Sequence, residues 1–144
     1  MPSHVLYDVN HFVGIHSLLK ESNGVVMFQA ETYNIPSNLA EIQKWRGSLE
    51  TIGFAGVRYG SIAIPTYSTG QIGFFVAHAN NNLSMVCKSE DDDVCGMDVS
   101  GGLIDWSYVS SQFEKLKGTT KYYHPRIHRS SYDLPFWVEE AIYG

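Results

Sequence analysis

Residues Val57 to Ala77 read VRYGSIAIPTYSTGQIGFFVA, and this stretch decides the fold. Val57, Tyr59, Ile62 and Ile64 make residues 54–64 a strand, and Ile72 to Ala77 is a second apolar run. Between them Pro65 to Gly70 is a turn, because proline and glycine punctuate a chain that must reverse. Two strands joined this closely predict an antiparallel hairpin. Working back, Leu39, Ile42, Trp45, Leu49 and Ile52 keep helical spacing after the start signal Pro36-Ser37-Asn38, and Gly53 ends that helix. Val25-Val26-Met27-Phe28 before it reads as a buried strand, with Gln29, Glu31 and Thr32 at its carboxyl end. Strand, helix, strand is the pattern of an α/β crossover, so the hairpin closes an α/β sheet.

The flanks supply helices. Residues 6–20 carry Leu6, Val9, Phe12, Val13, Ile15, Leu18 and Leu19 at mostly helical spacing, broken by Ser22-Asn23-Gly24. Residues 103–117 and 134–142 predict two more helices, while the acidic, asparagine-rich stretch 79–101 predicts a flexible loop. Its run Glu90-Asp91-Asp92-Asp93 reads as a solvated face.

The 144 residues suit one domain, and 44% hydrophobic content provides for a core. The net charge of −5 argues against nucleic acid as a partner and suits cationic ones. Cys87 and Cys95 read as free thiols in a reducing compartment. No run of 18 apolar residues predicts a membrane span, and the start lacks the pattern of a signal peptide. These features together predict a cytoplasmic protein.

Three groups of residues carry a resemblance. Ile64-Pro65-Thr66-Tyr67-Ser68-Thr69-Gly70-Gln71-Ile72-Gly73-Phe74 resembles the closing signature of spermidine synthases, differing only at Ser68 and Thr69. Gln29-Ala30-Glu31 is similar to that family's Gln-Gly-Glu at a strand end. Tyr122-Tyr123-His124, His128-Arg129 and Leu134-Pro135 are similar to its tail. Pro2, Leu6-Tyr7 and His11-Phe12 keep the spacing that follows the family's catalytic Asp-Ser-Ser-Asp motif, so Met1 falls just after that motif's place.

The resemblance implies the closing part of a Rossmann-like, methyltransferase-type sheet with flanking helices. It divides the chain into residues 1–78 as that half domain, 79–101 as an acidic insertion, and 102–144 as a helical segment with the family tail. Enzymes similar to this chain transfer an aminopropyl group from decarboxylated S-adenosylmethionine to putrescine. The amine attacks the carbon on the sulfonium and must first lose a proton, since alkyl ammonium groups have high pKa values. The resemblance places Glu31 at a polyamine amine, Gln29 at the pocket border, and Tyr67 beside the attacking amine in a supporting catalytic role. Pro65, Gln71 and Ile72 would shape the wall. The residues alone leave Glu31 open between an exposed carboxylate and a ligand group, and Tyr67 between hairpin packing and a site role. Trp45 reads as core. His124 and His128 stand four apart, but Pro125 between them argues against a metal pair.

The donor side is missing from these residues. None of the thirteen glycines falls into a G-x-G-x-x-G pattern, and no Asp-Ser-Ser-Asp occurs. The expectation is therefore no bound cofactor and no turnover by this chain alone. A truncated or split synthase, completed by a complementary chain, is one reading. A non-catalytic partner of a full-length synthase is the other.

Overall fold

The computed structural model describes residues 7–22, 24–80 and 106–144. Helix α1 (Val9–Leu19) leads to strand β1 (Val25–Ala30). A 3-10 turn at Pro36–Asn38 opens helix α2 (Leu39–Ile52), which crosses to strand β2 (Ala55–Ala63). Strand β3 (Gln71–His78) completes the hairpin, and helices α3 (Trp106–Leu116), α4 (Pro125–Ser130) and α5 (Phe136–Tyr143) follow. The expected α/β architecture is present as a three-stranded sheet in the order β1-β3-β2 with flanking helices.

β3 pairs antiparallel with both neighbours. β1 and β2 therefore run the same way, as the crossover requires, with the returning strand inserted between them. The register sets Phe28 opposite Phe75 on one side and Tyr59 opposite Phe75 on the other. A bulge interrupts β2 between Ala55 and Arg58.

Local chemistry explains the element ends. Asp8 lies just ahead of α1, and its carboxylate accepts the Asn10 N–H at 2.8 Å as an N-cap. Helix α2 ends at Gly53 with φ 111°, where the N–H groups of Gly53 and Phe54 donate to Glu50 and Leu49 carbonyls. That left-handed position favours glycine. Helix α4 was not anticipated: Pro125 occupies its first turn and the His124 ring accepts the Arg126 N–H at 3.1 Å. Pro125 thus starts a helix instead of merely separating two histidines.

The core lies between one sheet face and α1, α2 and α5. Phe12, Ile42, Leu49, Tyr59, Phe75, Val138 and Ile142 are buried there. Arg46 of α2 donates to the Ile142 carbonyl at 3.2 Å and lies 4.8 Å from the Tyr143 ring, tying α2 to α5. On the other face Tyr132 stands edge-on to Phe74, and the Ser61 N–H donates to the Ser131 carbonyl at 2.7 Å. Arg58 is buried there with its guanidinium 4.2 Å from the Tyr132 ring centroid. β1 corrects one expectation: it is not wholly buried but alternates, with Val25 51% and Met27 70% exposed. It lies at the edge of the described sheet, so its second face packs less. Apart from Ala79 and Asn80, the acidic stretch 79–101 lies outside the described residues, as do both cysteines.

Candidate functional site

The carboxyl end of β1 carries the chemistry. Glu31 leaves the strand with its side chain exposed, beside a cleft of about 220 Å³. Phe28, Gln29 and Ala30 of β1, Tyr7 ahead of α1, and Glu41, Ile42 and Trp45 of α2 line that cleft with it. Two carboxylate residues and three aromatic residues, Tyr7, Phe28 and Trp45, thus line one space. Carboxylates and aromatic faces both attract an ammonium group, while the rings also cover an alkyl chain.

Glu31 is held from several sides. Its carbonyl accepts the Tyr59 hydroxyl at 2.7 Å. Asn38 Nδ2 donates to the Thr32 carbonyl at 3.0 Å and reaches Glu31 Oε2 at 3.4 Å. The Thr32 hydroxyl, on a buried residue, accepts from Gln71 Nε2 and from the Asn34 N–H, each at 3.3 Å. Gln71 therefore ties the start of β3 to the loop that follows β1.

The sequence candidates distribute unevenly. Gln29 and Glu31 share the acidic cleft. Gln29 and Ile72 also border a second cleft of about 350 Å³ on the opposite face, where Met27, Phe74, Tyr122 and Ile127 join them. Among the described residues no carboxylate lines that second cleft, so they offer an ammonium no counter-charge there. Pro65 and Tyr67 stand on the exposed turn between β2 and β3 and border neither cleft. The turn is closed by the Ile64 N–H donating to the Gly70 carbonyl and the Gly70 N–H to the Tyr67 carbonyl, both at 2.9 Å.

Glu41 belongs to no motif in the sequence. Its one signal is an acidic residue in the first turn of α2, a common helix feature. Trp45 was read as core and does pack there, edge-on to Tyr7 at 5.4 Å and Phe12 at 5.8 Å. It also walls the cleft. The two histidines have other work: His124 caps α4, and His128 Nδ1 hydrogen-bonds the Tyr123 hydroxyl at 2.9 Å. Among the described residues no group of three or more His, Cys, Asp or Glu could hold a metal ion, and no helix is long and apolar enough to cross a membrane.

The α/β unit thus presents an acidic, aromatic cleft at a strand end. The spermine/spermidine synthase domain matches residues 1–86. The chain belongs to the spermine/spermidine synthase family. It is 26% identical over 144 residues to the spermine synthase of Saccharomyces cerevisiae, covering 98% of this chain and 39% of that protein. It is 30% identical over 141 residues to the spermidine synthase of Schizosaccharomyces pombe, covering 98% of this chain and 40% of the relative. A 44-residue stretch, 31% of this chain and 16% of the relative, is 36% identical to a polyamine aminopropyltransferase of Archaeoglobus fulgidus. The chain thus spans about two fifths of the length of the two yeast relatives.

Proposed function

We propose that this chain is the polyamine-binding part of an aminopropyl-transfer system, taking putrescine or a related polyamine at the carboxyl end of β1. The observation that carries this reading is the cleft in which Glu31 and Glu41 stand with Tyr7 and Trp45. One ammonium would lie between the two carboxylates, with the alkyl chain against the rings. Gln29 borders the same space. The family signature implies that Tyr67, with Pro65, Gln71 and Ile72, stands nearer the attacking amine, outside the cleft that Glu31 and Glu41 line. The strand order, with an antiparallel return strand, supports reading the sheet as the closing part of a Rossmann-like, methyltransferase-type fold.

Transfer needs more than this. The amine's lone pair must displace a thioether from the sulfonium carbon, with its proton passed to a base. The 144 residues contain neither the Gly-rich phosphate- or ribose-binding pattern nor an Asp-Ser-Ser-Asp motif. The donor site and main base would come from residues outside them, such as a complementary chain.

Both parts are testable on the purified chain. Putrescine should raise its melting temperature in a concentration-dependent way, because a ligand that binds only the folded state stabilises it. The shift should shrink in Glu31→Gln. Incubation with putrescine and decarboxylated S-adenosylmethionine should yield no spermidine. An absent thermal shift at tens of millimolar putrescine would remove the acceptor assignment. Spermidine formation would refute the assignment of the donor side to other residues.

A further inference from the structure

The peptide that carries Glu31 is clamped from a distance. Tyr59 lies in the middle of β2 and is 1% exposed. Its backbone N–H donates to the Tyr143 hydroxyl at 2.9 Å, and its ring stands edge-on to Phe75 at 5.4 Å. Backbone and ring are thus both fixed by the core. From there the phenol leans across β3 and donates to the Glu31 carbonyl at 2.7 Å.

The crossing depends on Gly73. This residue of β3 pairs with Ala30 on one side and Ser61 on the other, so it lies directly between the two strands. A Cβ added at Gly73 would collide with both the Glu31 carbonyl oxygen and the Tyr59 hydroxyl. The bare glycine is the gap through which a β2 side chain reaches the end of β1. Burial pushes the Tyr59 phenol above its ordinary pKa, so it stays a proton donor across the working pH range.

We infer that Tyr59 is a positioning residue of the polyamine site: through its hydroxyl, over Gly73, it fixes the peptide of Glu31 and thereby where that carboxylate meets an ammonium. The inference rests on the acceptor-site reading above. A hydroxyl that merely satisfied a buried carbonyl would affect stability and leave the binding of folded molecules unchanged. A positioning hydroxyl affects binding, and does so only while the Glu31 carboxylate is there to be positioned.

The test is a double-mutant cycle on the full chain, titrating putrescine well below each variant's melting temperature. Tyr59→Phe keeps the ring and removes the donor. It should weaken putrescine binding about two- to fivefold at most, because it acts through a carboxylate whose own removal costs no more. The same change in the Glu31→Gln background should alter binding less than twofold. The carbonyl carbon of Glu31 should shift upfield in Tyr59→Phe, reporting loss of the contact. Unchanged binding in Tyr59→Phe, or an equal loss in both backgrounds, overturns the inference and leaves the acceptor site standing. Failure of the unsubstituted chain to bind putrescine overturns both.

Discussion

Glu31 and Glu41 reach the same cleft from different elements, one at the end of β1 and the other in the first turn of α2. Both are exposed, so each contributes modestly to holding a cation. Replacing either with glutamine should weaken putrescine binding about two- to fivefold, and both together more, as read by calorimetric titration. The effect should fade as salt is raised, because exposed charges are screened. Gly73→Ala should lower folding stability by about 3 kcal/mol in a urea titration, since its methyl has no room between strand and phenol. Glu31 was legible because its motif closes an apolar run. Glu41 and Tyr59 were not, because their roles depend on which strand lies between which, and periodicity cannot supply that.

At the scale of elements, Gly53 ends α2 in the left-handed region and its absent Cβ faces the His16 ring at 3.3 Å. Gly53→Ala should therefore cost about 1–2 kcal/mol, measurable as a lower urea midpoint with an unchanged slope. The hairpin, the crossover helix and the terminal helix follow from runs and breakers that act locally. Helix α4 escaped because six residues carry too little periodicity, even though Pro125 at its start was a usable signal. The partial exposure of β1 also depends on the sheet, since an apolar run reads alike at the centre and the edge. Arg58 is a further case. Its position in a strand carries no local sign of burial, yet it is buried against Tyr132 and joins β2 to the segment after α4. Burial lowers its pKa from the ordinary value. Arg58→Ala should cost about 2–3 kcal/mol through lost packing and ring contact, measured in the same urea titration.

For the molecule as a whole, stability should fall on mild acidification. Burial lowers the pKa of His78, and burial followed by the Arg58 charge lowers that of His128, both from an ordinary 6.5. The unfolded chain therefore takes up protons near pH 6.5 that the folded chain refuses. The folded state binds fewer protons, so its stability is full above that pH and declines as the pH drops through 6.5 toward the lower folded values. The melting temperature should be lower at pH 5.5 than at pH 7.5, and His78→Gln should flatten that dependence. The central claim, that the β1 end is a polyamine site, is tested most directly by mapping putrescine onto the chain by ¹H–¹⁵N correlation spectroscopy. Saturable shifts are predicted at Gln29 to Thr32, at Glu41 to Trp45 and at the Trp45 indole, and they should be reduced in Glu31→Gln. Shifts confined to the apolar cleft beside Phe74 and Tyr122, or none at all, would contradict it.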